Sequence, residues 1–276
     1  MCLLVVASQL VPDEPLIVGA NRDEILERPS TSMTVLAEAA PRILGGRDEQ
    51  SGGTWLAVNE HGVCAGLTNQ PLGDAKDPTK RSRGELPLAA TRHATAADGV
   101  EDLLSSYDPD DYNGAWLLVG DRTSLYFVDF TRSPASARVL APGLHVLENR
   151  ALAEPSLKVD LVQDMLGEPA GGDAVIEAFR RVLADHRIPE GDERPNAGSC
   201  VHLEQFGTRS SCLVRVGASP SSAPRVWVAD GPPCETPYAD VSGLWAEGVE
   251  GVEGAVGVES AEGAGVPTAQ SRTSGL

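Results

Sequence analysis

The sequence predicts a layered α+β fold, on three observations. Residues 2–7 form a short strand whose two faces are both apolar, so it must be covered on two sides. Hairpin patterns outnumber helical ones, and the helical stretches fall between two sets of strands.

The elements follow in order. Runs at 2–7 and 16–20, rich in Val, Leu and Ile, flank a Pro12-Asp13-Glu14-Pro15 turn and read as a hairpin. Alternation sets Cys2, Leu4 and Val6 on one side and Leu3, Val5 and Ala7 on the other. Asn21 to Met33 is polar with Pro29, and Ala37 to Gly53 holds two Gly-Gly pairs, so both read as loops rimming a sheet. Thr54–Val58 and Val63–Thr68 flank an Asn59-Glu60-His61-Gly62 turn, a second hairpin that Asn69 leaves at its end. Ser82-Arg83-Gly84-Glu85 has capping-box spacing ahead of a helix through His93, and another helix is expected over Gly99 to Tyr107.

Ala115–Val119 and Leu125–Phe130 form a further hairpin, with shorter strands at 137–140 and 144–147. Ser156 to Leu166 and Asp173 to Ala184 carry apolar residues at three- to four-residue spacing, which predicts an amphipathic helical pair with Leu157, Leu161, Val162 and Met165 on the first helix's inner face. Strands at Cys200–Leu203, Ser211–Val216 and Arg225–Val228 close the domain, expected to span 1–245. From Ala246 to Leu276 a degenerate Gly-Val-Glu-Gly composition offers nothing large to bury and predicts a disordered acidic tail.

Charge excludes some functions. The 40 acidic against 22 basic residues give a net charge of −18, a field that repels phosphate backbones and anionic membranes, so no nucleic-acid partner is expected. There is no basic, apolar leader pattern and no stretch of transmembrane length, so no membrane insertion is expected. Cys2, Cys64, Cys200, Cys212 and Cys234 are odd in number and lack paired short spacing. That suits a cytoplasmic, reducing location better than a disulfide framework and gives no zinc signature. His61, His93, His145, His186 and His202 stand in mixed contexts, none partnered with a cysteine as a Cys/His pair would demand, so each reads as structural, and no metal or cofactor is expected.

Cys2 carries the most specific chemistry. Initiator methionine is usually trimmed before a residue as small as cysteine, so the chain would then open on a residue with both a thiol and an α-amine. An α-amine has an unperturbed pKa of roughly 7.7–8.0 and can take the thiol proton directly or through water. The other readings of Cys2 are a small core residue and a thiol without a role. Asn21-Arg22-Asp23-Glu24 then supplies opposite charges and an amide just after a strand, able to orient an amine or bind a carbonyl group, or simply to form a salt-bridged loop.

Taken together, Cys2, Asn21-Arg22-Asp23-Glu24, Gly46-Arg47-Asp48, Gly53-Thr54-Trp55-Leu56-Ala57, Leu67-Thr68-Asn69, Ser82-Arg83-Gly84-Glu85-Leu86 and Gly207-Thr208-Arg209-Ser210-Ser211 resemble the NRDE-motif, or transport and Golgi organisation 2, family. That family in turn resembles the N-terminal-nucleophile hydrolases of the cholylglycine hydrolase and penicillin V acylase group. The resemblance implies a four-layer αββα sandwich, with Cys2 as nucleophile and Arg22 and Asp23 following the second strand, although the hydrolases separate that pair. It further implies Asn69 as a donor to the oxyanion, Asn149 after a Val146-Leu147 strand, and Arg209 on a late strand.

The implied activity is that of an amidohydrolase or acyltransferase acting on a small-molecule amide or acyl substrate through a thioester, with no cofactor. The resemblance also implies an alternative, in which the same cleft holds haem or an acyl lipid for intracellular trafficking without turnover. Haem would then need an axial donor such as Cys2 or a histidine.

Overall fold

Two antiparallel sheets are stacked face to face, each covered on its outer side by helices. The computed structural model describes residues 2–246 apart from 39, 73–75, 153 and 169–170, and at Cys2 it describes the backbone alone. The expected tail lies, beyond Ala246, outside the described residues. Met1–Ala246 forms one compact unit.

The first sheet has six strands: β1 (Cys2–Ser8), β2 (Leu16–Ile25), β10 (Gly143–Leu147), β11 (Phe206–Val216), β12 (Arg225–Ala229) and β13 (Ala239–Asp240), in the order β10-β1-β2-β11-β12-β13. The second has seven strands in sequence order: β3 (Ser30–Ala37), β4 (Ile43–Asp48), β5 (Leu56–Asn59), β6 (Cys64–Asn69), β7 (Ala115–Gly120), β8 (Leu125–Asp129) and β9 (Ser136–Val139). Helices α1 (Glu85–Ala90) and α2 (Ala96–Ser106) cover the second sheet; α3 (Leu157–Leu166) and α4 (Gly172–Leu183) cover the first.

The two-faced first strand is what organises these layers. Leu4 and Val6 enter the core between the sheets with Val18, Leu56 and Leu118, whereas Leu3, Val5 and Ala7 meet Phe179, Val182 and Leu183 of α4. The sheets approach closely where Leu4 crosses Gly66, because a Cβ there would lie 2.9 Å from both Leu4 methyls. The architecture is a four-layer αββα sandwich, as expected. Among the described residues no helix is long and apolar enough to cross a membrane.

Several local expectations are corrected. The stretches expected as rim loops hold β3, β4 and the second half of β2, which carries Asn21-Arg22-Asp23-Glu24 as strand. The polar run stays extended because distant groups satisfy it: the buried Asn21 donates from Nδ2 to the carbonyls of Leu183 and Ser199, both at 2.8 Å. Residues 200–203 form only an isolated bridge, His202 to Gly207, and the strand runs from Phe206 instead. The expected capping box at Ser82 does not form, since the cap of α1 is Gly84 without a side-chain hydrogen bond, and Glu85 pairs with Arg81 at 2.5 Å. On α3 the buried face is Lys158, Val162 and Leu166, leaving Leu157 exposed.

Candidate active site

The register of the first sheet lines up the N-terminal residue of β1 with the expected site. Cys2 pairs with Arg22 on one side. On the other, β1 pairs with β10 as Leu4 to Leu147 and Val5 to Val146, and the chain leaves the ladder after Leu147, two residues before Asn149. On β11, Thr208 pairs with Asp23 and Ser210 with Arg22, which leaves Arg209 as the extra residue of a bulge beside them. Bulges redirect a side chain at the cost of one ladder position, and this one sits where strands β2 and β11 meet the site. Asn69 ends β6 on the opposing sheet, and its backbone carbonyl accepts a hydrogen bond from Asn149 Nδ2 at 2.6 Å.

Arg22 and Asp23, adjacent in sequence, project to opposite faces of β2. Arg22 lies over the Trp55 ring, 4.4 Å from its centroid, donates to Ser30 Oγ at 3.1 Å and stands 3.9 Å from Asp48. Trp55 can take that place because Gly46 has no side chain: a Cβ there would lie 2.0 Å from the indole. Asp23 faces the helix side, where its Oδ1 accepts from Thr208 Oγ1 at 2.6 Å. Burial holds the Asp23 carboxyl above the ordinary carboxylate range, opposed by the positive charges of the amino terminus, Lys158 and Arg22 and by the Thr208 hydrogen bond.

A cleft of about 540 Å³ opens in front of this group, with Arg22, Asp23, Trp55 and Asn69 in its wall. Among the described residues its wall carries Arg22, Arg28, Lys76, Lys80, Arg81 and Arg83 against Asp23, Glu24, Asp48 and Asp77. Basic side chains thus outnumber acidic ones here, in a chain whose totals are 22 and 40. Asn149 and Arg209 are outside that wall, the first behind Asn69 and the second in the bulge.

A match to the family model for Transport and Golgi organisation 2 covers residues 1–222. The chain belongs to the Transport and Golgi organisation 2 family. A bovine (Bos taurus) Transport and Golgi organization protein 2 homolog is 29% identical over 233 residues, covering 74% of this chain and 82% of the bovine protein. The mouse (Mus musculus) homolog is 28% identical over 238 residues, 74% of this chain and 83% of its own length. Among solved structures, a Caenorhabditis elegans N-acylethanolamine-hydrolyzing acid amidase ortholog superposes with a TM-score of 0.54 at 14% identity, over 80% of this chain and 95% of the amidase. A cysteine-to-alanine mutant of the conjugated bile acid hydrolase from Clostridium perfringens gives 0.50 at 10% identity, over 89% and 94%. These likenesses assign this family member an N-terminal-nucleophile hydrolase fold.

Sequence reasoning missed several residues around the group. Trp55 and Asp48 enter the sequence reading as strand, loop and family-motif residues, without the contacts to Arg22 that the fold gives them. Lys158 was passed over because the helix was phased on its leucines, yet its spacing of four from Val162 and eight from Leu166 placed a charge on the buried stripe. Spacing also concealed a second cluster: His186, Cys200, His202 and Cys234 come within 4.8 Å of one another, next to Val201, whose N–H donates to Thr208 Oγ1.

Proposed function

We propose that this family member is an N-terminal cysteine amidohydrolase or acyltransferase acting on a small-molecule amide through a thioester, with Cys2 as nucleophile once Met1 is removed. The observation that carries the reading is the register that pairs the backbone of Cys2 with Arg22 and, on the next strand, Asp23 with Thr208 beside the Arg209 bulge. The solved relatives named as an amidase and a bile acid hydrolase support the same class.

In this mechanism the Cys2 thiol gives its proton to its own α-amine and the sulfur attacks the amide carbonyl carbon. The carbonyl π pair moves to oxygen, and the Asn69 side-chain amide donates to the resulting oxyanion, a contact of the type worth roughly 10²–10³ in rate. Collapse breaks the C–N bond while the α-ammonium returns its proton to the leaving nitrogen, leaving a Cys2 thioester and a free amine. Water or a second amine then attacks the thioester, loses its proton to the α-amine and releases the thiolate. Asp23 holds the ammonium form of the amine, and Asn149 fixes the end of β6 that carries Asn69. The excess of basic side chains in the cleft wall suits a substrate with an anionic group beside its scissile amide.

The test is intact mass of the purified chain before and after exposure to electrophilic amides and a β-lactam. Loss of Met1 and a single adduct on Cys2, absent in Cys2→Ser, is the expected result. Turnover of an accepted amide that survives Cys2→Ala would overturn the reading. Absence of any adduct, together with a haem absorption band that Cys2→Ser abolishes, would transfer the cleft to ligand carriage.

A further inference from the structure

We infer that His186, Cys200, His202 and Cys234 form a tetrahedral zinc site that staples three segments of the chain behind Asp23. One ligand atom from each residue lies within 4.8 Å of all the others. Cys200 Sγ is 3.6 Å from Cys234 Sγ and 3.6 Å from His202 Nε2, and His202 Nε2 is 3.2 Å from Cys234 Sγ. A tetrahedral ion with Zn–S of about 2.3 Å and Zn–N of about 2.0–2.1 Å requires sulfur–sulfur edges near ~3.8 Å and sulfur–nitrogen edges near ~3.6 Å. The three edges among Cys200, His202 and Cys234 come within about 0.4 Å of those values, and His186 stands within 4.8 Å of all three.

The donor set narrows the ion. Two thiolates and two imidazoles in a tetrahedron select zinc over the oxygen-seeking magnesium and calcium. Both cysteines are free, and their separation exceeds the ~2.05 Å of a disulfide by a margin an ion can fill. His186 is also prepared for the role. Its Nδ1 donates to the Cys200 carbonyl at 3.1 Å, which leaves the lone pair of the neutral ring on Nε2. On binding, Zn²⁺ displaces one proton from each thiol, so the two thiolates neutralise the ion and two protons are released.

The four residues come from three segments. His186 follows α4, Cys200 and His202 precede β11, and Cys234 sits in the turn between β12 and β13. The first two are tied by Cys200 N–H to the Asp185 carbonyl at 2.8 Å, and the ion would add the third. From there the connection to Asp23 is short. Val201 N–H donates to Thr208 Oγ1 at 2.9 Å, and that hydroxyl donates to Asp23. None of the four ligands lines the cleft, so the site is structural.

The untagged full chain, purified from zinc-supplemented medium in reducing buffer, should carry one zinc per chain by native mass and elemental analysis. Cys200→Ser with Cys234→Ser should lose it. Should that variant fail to fold, the wild-type chain decides. After chelation and Co²⁺ titration it should show tetrahedral thiolate–cobalt absorption saturating at one equivalent, with Cys200 and Cys234 protected from alkylation only when metal is bound. A wild-type chain that binds neither ion, or whose mass and peptide map show Cys200 joined to Cys234, overturns the proposal.

Discussion

Thr208 Oγ1 donates to Asp23 Oδ1 at 2.6 Å, and the two residues are also direct partners in the β2–β11 ladder. Backbone register and side-chain bond therefore fix the same carboxylate. A hydrogen bond to a charged group contributes about 1.5–3 kcal/mol, so Thr208→Val should lower unfolding free energy by that order, while Thr208→Ser, which keeps the hydroxyl, should lose less. Urea unfolding of the three proteins measures it, and equal loss in Val and Ser variants would assign the effect to packing instead.

Gly46 sets the position of Arg22 through Trp55. A methyl at 46 would stand 2.0 Å from the indole, and the rigid ring must move, taking with it the surface over which the guanidinium lies at 4.4 Å. Overpacking of this kind costs about 1–3 kcal/mol. Gly46→Ala should therefore destabilise the fold by that amount and slow acylation of Cys2 under the proposed mechanism. Gly46→Ala combined with Trp55→Leu should recover most of the stability but not the rate, since the stack under Arg22 is gone. Denaturation and adduct formation followed in parallel separate the two effects.

Thiol reactivity should divide the cysteines by burial. Desolvation pushes Cys64 up to about 12, and Cys212 is raised first by its burial and then by the neighbouring Cys64. Their thiolate fractions near neutrality are negligible, so neither should alkylate in the native state, and both should react once the chain is unfolded. An N-terminal Cys2 with its amine as base should label first. Peptide mapping after a short pulse of alkylator reads the order, and labelling of Cys64 in native protein before Cys2 would contradict it.

The hairpins were legible because their information is local. Leu117 and Val119 point to one side of β7 and Trp116 and Leu118 to the other, and the turn from Asp121 to Ser124 closes the pairing. The strand through Asn21-Arg22-Asp23-Glu24 was not legible, because what lets polar residues stay extended there lies far away in sequence, at Leu183, Ser199 and Thr208. Lys158 failed for the opposite reason: its place on the apolar stripe was readable, but a lysine on a buried face has no local warrant until Asp23 is seen beneath it. Cys200 and Cys234 show the limit of spacing rules, which see donor side chains held on one motif and not donors gathered from three segments.

Asp23 gives the sharpest pH dependence. Its carboxyl is held above the ordinary 3.8 chiefly by desolvation, so the folded chain keeps this proton to a higher pH than the unfolded chain does. Below 3.8 both states are protonated and the group makes no pH-dependent difference. As pH rises through 3.8 the unfolded state ionises first and stability falls, and the fall ends once the folded carboxyl has ionised as well. Asp23→Asn cannot ionise, yet its Oδ1 can still accept from Thr208. Its unfolding free energy should therefore gain on wild type as pH rises from about 4 to about 7, even though acylation of Cys2 is lost at every pH for want of the negative charge. Urea midpoints for the two proteins across that range make the comparison. A difference that stays constant, or narrows in favour of wild type, would place the Asp23 carboxyl at or below its ordinary range and remove desolvation as the dominant force on it.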